Sequence, residues 1–251
     1  MTTDLESIAG VLREAGAVVG LTGAGISTES GIPDFRGPNG VWTKDPKAER
    51  LATLQHYMGD RDVRVSAWQA RLSHPGLQAQ PNSGHIAFVD LERKANLHTI
   101  VTQNVDGLHQ LAGTSPEILI EIHGTMREVM CMECGDRAPM QRALDRVRAG
   151  EEDPECRSCG GILKSATISL GQNLVPEDLE RARMAAEGCD VFLAVGTSLA
   201  VYPVAHLPQI ALDSGAKLII VNAQHTPFDA VAEWVVDEPI GKVLPAIVER
   251  I

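Results

Sequence analysis

The sequence predicts an α/β protein: a doubly wound parallel sheet with helices on both faces, and a smaller module formed by two insertions. Three observations carry this. Short, continuously apolar runs recur along the chain. Helical patterns lie between several of them. Two stretches interrupt the alternation, and one of these carries two Cys-x-x-Cys pairs.

The apolar runs are Ala17–Leu21, Thr99–Thr102, Ile118–Ile122, Val191–Val195, Leu218–Val221 and Trp234–Val236. Strands buried on both faces read this way, because helices cover a parallel sheet on either side. Leu5, Ile8, Ala9 and Leu12 follow helical spacing, with Thr3 and Glu6 as a capping box and Gly16 beyond the end. Ser83 is placed to cap a helix bearing Ile86, Phe88, Val89 and Leu91, and Pro176-Glu177-Asp178 opens another that runs to about Gly188. Alternating strands and helices define the doubly wound class. Residues 38–80 hold no strand-like run and several prolines, and 127–165 hold four cysteines around a polar middle; both read as insertions.

Composition limits the function. The 251 residues carry a net charge of −11, which disfavours nucleic acid, where phosphate neutralisation dominates binding. No apolar run is long enough to span a bilayer, and the start MTTDLESIAG has neither basic residues nor an apolar core, so no membrane association and a cytoplasmic location are expected.

Cys131, Cys134, Cys156 and Cys159 form two matched pairs, with Gly135 and Gly160 following where tight turns need them. Four thiolates fill a tetrahedral Zn²⁺ shell and leave no position for water, so the expected ion is structural. A catalytic zinc would need an open position, and a redox disulfide would not explain two pairs. Cys189, beside an apolar run, reads as a small buried residue.

Ala17–Leu21 runs into Thr22-Gly23-Ala24-Gly25-Ile26-Ser27. A strand followed by Gly-x-Gly lets backbone amides approach a diphosphate. Thr28 stands where a dinucleotide fingerprint has its third glycine, and no acidic residue ends a strand about twenty positions on, so these residues alone fit a plain tight turn equally well. The other strand ends point to a ligand. Val191–Val195 leads into Gly196-Thr197-Ser198, Leu218–Val221 ends in Asn222, and Thr99–Thr102 ends in Gln103-Asn104-Val105-Asp106-Gly107. Ligands of open α/β sheets bind at the carboxyl ends of strands.

Taken together, these motifs resemble the sirtuin family. Gly23 through Gly37 (GAGISTESGIPDFRG) is similar to its long NAD-binding segment, and Thr102 through His109 (TQNVDGLH) to its second motif. His123-Gly124 falls at the family's catalytic histidine. The four cysteines, then Gly196-Thr197-Ser198 with Val201 and Pro203, then Asn222, follow in order, so the likeness spans residues 10–248. It implies a Rossmann-like NAD domain (1–37, 81–126 and 166–251) beside a small module with a helical part (38–80) and a zinc ribbon (127–165).

The resemblance also implies roles. Gly23, Ala24 and Gly25 would line the diphosphate, with Ser198 on the other side, and Ser27, Gly196 and Thr197 would also bind the cofactor. Asn222, Ala223 and Gln224 would border the adenosine, with Ile240 near the adenine. Asp34, Phe35 and Arg36 would belong to a cofactor loop; Gln103 would touch the ribose; Asn104, Val105 and Asp106 would hold the nicotinamide end. His123, with an imidazole that titrates near neutrality, would be the general base toward a ribose hydroxyl, and Asn104 would share the catalytic centre. The implied reaction is NAD-dependent deacetylation of protein lysines, with acylated lysine side chains as partners, releasing nicotinamide and O-acetyl-ADP-ribose.

Two departures touch specificity. Ile168-Ser169-Leu170-Gly171-Gln172 stands where the family has an aromatic-Gly-Glu run; Ile168, Leu170 and Gly171 can still shape a lysine channel by main-chain pairing. Relatives that prefer acidic acyl groups carry Tyr and Arg three residues apart, and Trp68 with Arg71 is the nearest match here. Arg71 would pair a succinyl carboxylate, or else be a solvated arginine on a helix face. Desuccinylation, mono-ADP-ribosyl transfer and a non-catalytic NAD or zinc scaffold are the competing readings.

Overall fold

The computed structural model describes residues 4–34 and 52–251. Six parallel strands form one sheet: β1 (Val18–Thr22), β2 (Leu97–Thr102), β3 (Leu119–Glu121), β7 (Val191–Val195), β8 (Lys217–Val221) and β9 (Trp234–Val236). Their order is β3-β2-β1-β7-β8-β9, so the order of strands reverses at β1, between β2 and β7. A crevice opens at such a reversal, outside the carboxyl ends of the strands.

Strand periodicity divides the core in two. Val18, Val191, Leu193, Val195, Ile219 and Val221 face α1 (Leu5–Glu14), α4 (Ser83–Lys94) and α9 (Ile240–Val248). Val19, Leu21, Phe192, Ala194, Leu218 and Ile220 face α7 (Pro176–Glu187) and α8 (Leu207–Asp213). Every residue of β1 and β7 is buried, which explains their continuous apolarity.

The helix starts differ from expectation. Asp4 caps α1, its carboxylate accepting the Ser7 N–H at 3.1 Å; Thr3 lies outside the described residues. Asn82 rather than Ser83 caps α4, because Asn82 is the residue with extended backbone and its side-chain Oδ1 accepts the Gly84 N–H. Its reciprocal partner is His85, whose Nδ1 accepts the Asn82 N–H. Pro116–Ile118 is a 3-10 turn, so β3 begins at Leu119, not at Ile118.

The second unit is an antiparallel sheet, β5-β4-β6, made of β4 (Gly124–Cys131), β5 (Arg137–Pro139) and β6 (Leu163–Thr167). Helices α3 (Arg61–Leu72) and α6 (Met140–Arg148) pack on it around Trp68, Val129, Met140, Leu144 and Leu163. The short helices α2 (Leu54–Gly59) and α5 (Leu108–Ala112) complete the described set. Among the described residues, no helix is long and apolar enough to cross a membrane.

Candidate functional site

The loops after β1 and β7 meet backbone to backbone. Gly23 N–H donates to the Val195 carbonyl at 3.1 Å and Gly25 N–H to the Gly196 carbonyl at 2.8 Å. A Cβ on Gly23 would lie 2.8 Å from the Gly196 oxygen, and one on Gly25 2.7 Å from the Gly196 Cα. The Gly-x-Gly pattern therefore has a reason besides ligand approach: it lets two strand ends close on one another. Ala24–Ser30 continues as a 3-10 helix that begins at this seam, with Gly25 N–H held on the Gly196 carbonyl and Ile26 N–H on the Gly23 carbonyl.

The loop after β2 locks onto the same seam. Gln103 N–H donates to the Thr22 carbonyl at 2.9 Å, and its side-chain amide donates to Thr197 Oγ1 at 2.8 Å. Asn104 Nδ2 donates to the Gly23 carbonyl at 3.0 Å and to Ser27 Oγ at 3.1 Å. Ser27 donates in turn to Asp106 at 2.7 Å, while the other Asp106 oxygen accepts the Leu108 N–H. The Val105 carbonyl accepts the Met126 N–H, tying this loop to β4. Each carboxylate oxygen keeps a further lone pair for a ligand donor. Ser198 lies beyond Thr197 in the β7 loop. Asn222 ends β8 and donates to the Gln224 carbonyl, which shapes the 222–224 turn; Ile240 begins α9 and is nearly buried. Asp34 ends the first described segment, whereas Phe35 and Arg36 lie outside the described residues.

His123 stands in the two-residue turn between β3 and β4, directly before Gly124. Its Nδ1 is 3.0 Å from the Gln103 carbonyl. A carbonyl can only accept, so Nδ1 carries the proton and Nε2 keeps its lone pair. Burial holds the imidazole pKa below its ordinary value, against the raising effect of that hydrogen bond. The neutral, proton-accepting form is therefore favoured at neutral pH.

Beneath the loops lies a polar pair that the sequence reading did not single out as one. His109 Nε2 sits 3.0 Å from Thr22 Oγ1, and Thr22 bonds Thr102. The His109 ring packs edge-on against His85, 5.1 Å between centroids, and both are buried. Desolvation drives His109 down to about 3 and His85 to about 4, so both stay neutral. Asn82 joins the cap of α4 to the loop helix, donating to the Ile26 carbonyl and Ser30 Oγ. The spacing Asn82-x-x-His85 marks a helix start and was readable; the contact with His109 was not.

Of the remaining histidines, His56 and His225 are exposed, and His74 caps its own turn through Gly76 N–H. Cys189 is buried, with its thiol pushed up to about 11, as expected of a residue with no reactive role.

The segment after β6 sits beside His123. Ile168 N–H donates to the His123 carbonyl at 2.7 Å, and Leu170 pairs through its N–H and carbonyl with Ala52 and Leu54. Gly171 takes a left-handed conformation in the turn that Gln172 closes on Ser169. The Gln172 side chain accepts the Ser169 N–H at 3.1 Å, so it braces its own turn.

The solvated-surface reading of Arg71 is overturned. Its guanidinium lies over the rings of Trp68 (5.1 Å) and Tyr57 (5.7 Å), and Nη1 is enclosed with no hydrogen-bond partner among the described residues. Tyr57 comes from α2 and covers it; spacing on one helix could not show that. Trp68 itself is fully buried in the core of the small unit. Lys164 lies close enough to Arg71 to feel its charge, and burial followed by that charge brings its pKa down to about 8.

The four cysteine sulfurs lie within 4.8 Å of one another, with Cys131–Cys159 at 3.5 Å and Cys134–Cys156 at 3.7 Å. Sulfurs on a tetrahedron of zinc bonds about 2.3 Å long stand about 3.8 Å apart, so the residues fit Zn²⁺ with no open ligand position. Gly135 and Gly160 both adopt positive φ in the turns that bring the pairs together.

A parallel sheet whose strand order reverses at a glycine seam, beside four cysteines that fit a structural zinc, is the architecture of a dinucleotide-binding α/β protein with a small metal module. The Sir2 family model matches residues 23–203, and the chain belongs to that family. It is 51% identical over 227 residues to "NAD-dependent protein deacetylase 2" of Streptomyces coelicolor, covering 90% of this chain and 94% of that one. A Sir2 solved with a deacetylated p53 peptide and 3'-O-acetyl ADP ribose superposes with a TM-score of 0.89 at 32% identity, covering 98% and 97%. A Sir2 solved with p53 peptide and NAD+ gives 0.88 at 31%, covering 98% of each chain.

Proposed function

We propose that this chain is an NAD-dependent protein lysine deacetylase that releases nicotinamide and O-acetyl-ADP-ribose. One observation carries the reading: the interlocked ends of β1, β2 and β7 adjoin His123, whose Nδ1–H is fixed on Gln103 and whose Nε2 can take a proton. NAD supplies the ribosyl carbon that the acyl oxygen attacks as nicotinamide leaves. The residues expected at the cofactor, from Gly23–Gly25, Ser27 and Asp34–Arg36 through Gln103–Asp106 and Gly196–Ser198 to Asn222–Gln224 and Ile240, would bind and orient it. His123 would remove the ribose hydroxyl proton, with Asn104 held against Gly23 and Ser27 beside it. Ile168, Leu170 and Gly171 would shape the channel for the acyl-lysine. The division into 1–37, 81–126 and 166–251 against 38–80 and 127–165, a cytoplasmic location, and the lack of nucleic-acid or membrane partners belong to the same proposal.

The test is mass analysis of an acetyl-lysine peptide incubated with NAD. Deacetylated peptide and O-acetyl-ADP-ribose in equal amounts are expected, and His123→Ala should form neither while still binding NAD. ADP-ribose fixed to protein without acyl dependence would instead indicate a mono-ADP-ribosyltransferase.

One observation favours a second substrate. Among the described residues no carboxylate pairs with Arg71, which has Tyr57 beside it and a second cation, Lys164, near. A buried cation without an anion favours one, so succinyl-lysine is the acyl group to compare, read through Arg71 rather than the fully covered Trp68. Arg71→Met should then lower succinyl-peptide turnover far more than acetyl-peptide turnover.

A further inference from the structure

A cavity of about 530 Å³ lies behind the Ile168–Gly171 segment, between the edge strand β3, strands β4 and β6, and the turn into α7. None of the residues assigned above to NAD lines it. Its volume is in the range of small-ligand sites. Much of the wall is apolar, from Leu119, Ile122, Met130, Leu174 and Val175.

Three charged side chains line it: Glu121, Arg137 and Asp178. Arg137 is paired with Glu128 at 2.7 Å and Asp178 with Arg181 at 3.3 Å. Glu121, a wall residue of the cavity, has no ion-pair partner among the described residues, and none of them hydrogen-bonds its Oε1. Burial raises the carboxyl's pKa, more than hydrogen bonds from Gln110 and Thr125 lower it. A carboxylate in an apolar hollow is costly without a counter-charge. A ligand that brings that charge on an apolar body complements the wall in both respects.

We propose that this cavity binds a small organic cation, an ammonium carried on an apolar body, with Glu121 as its anchor. Ile168 and Gln172 also wall the cavity, so an occupant touches the segment assigned to the acyl peptide. That consequence rests on the proposed function; the binding itself does not, and it is tested without peptide.

The probe is 4-phenylbutylamine, with 4-phenylbutanol as its neutral counterpart, titrated calorimetrically into wild type, Glu121→Gln and Val175→Trp. Val175 is 44% exposed at the cavity wall, so a bulky residue there fills space without entering the core. The amine should bind wild type, and the alcohol about tenfold or more weaker, since a charge-assisted hydrogen bond is lost. Glu121→Gln should weaken the amine to the level of the alcohol, and Val175→Trp should block both, with NAD binding retained in each variant. Equal binding of amine and alcohol, unchanged amine binding in both variants, displacement of the amine by NAD, or no binding to wild type would each overturn the proposal.

Discussion

Gly196→Ala probes the seam on which the proposed NAD site is built. Gly196 has φ of +62°, a conformation that costs a residue with a side chain about 1–2 kcal/mol. An added Cβ would lie 2.4 Å from the Ile26 nitrogen and 2.7 Å from the Gly25 carbonyl carbon. Both are main-chain atoms of the opposing loop, so no rotamer change relieves the clash. Relief requires the two loops to part, which stretches the 2.8 Å bond from Gly25 N–H to the Gly196 carbonyl. Overpacking of this kind adds about 1–3 kcal/mol. The sum is about 2–5 kcal/mol, or a melting temperature lower by roughly 4–20 °C in a chain of this size. Gly215→Ala is the control. Its φ is +90° but nothing lies within 4 Å of an added Cβ, so only the backbone cost applies. Urea unfolding of the three proteins isolates the clash, and NAD titration reports its effect on the site. Gly196→Ala should bind NAD much more weakly, and Gly215→Ala as wild type does. Two variants destabilised within about 0.5 kcal/mol of one another would refute the backbone-seam argument.

Three further outcomes are expected. His123 works as a base only when neutral and its pKa is lowered by burial, so kcat/KM should fall on acidification with a midpoint below 6.5; a midpoint above that value would contradict its environment. His85 and His109 are held neutral, with pKa values near 4 and 3 against 6.5 when unfolded. Their contribution to stability is complete above pH 6.5 and is lost as pH falls through about 4 for His85 and about 3 for His109, so urea midpoints should drop between pH 6.5 and 3 and His109→Gln should reduce the drop. Cys131→Ser should lose zinc by elemental analysis and red-shift the fluorescence of Trp68, which packs in the same cluster as Cys131 and Cys156; retained metal with full activity would rule out a structural site.

Why the parallel sheet could be read, and the small unit only in part, follows from how far each signal reaches along the chain. Val191–Val195 is buried on both faces, so its apolarity is local and visible. The strand order, with its reversal at β1, depends on which segments pair and leaves no local mark. Met140, Ala143, Leu144 and Val147 stand at helical spacing in α6, but polar flanks surround them, and the segment reads only as a zinc ribbon with a polar middle. Strand β4 was illegible for another reason. Its register shifts between Gly124 and Val129, which breaks the alternation, and its partner β6 arrives only after the second cysteine pair.

The site divides the same way. Glycines, the cysteine pairs and His123 were legible because each acts through its own turn or strand end. Arg71 was misjudged because spacing on α3 describes one helix, and the ring that covers it belongs to Tyr57 on α2. His85 was missed because its neighbour His109 comes from the far side of β2. Glu121 is the sharpest case: within β3 it is one more residue at a strand end, and its exposure to an apolar hollow exists only once β4, β6 and the turn into α7 have closed around it. A charge whose partner is missing is a property of the assembled walls, which is why the cavity, unlike the nucleotide crevice, had no motif to announce it.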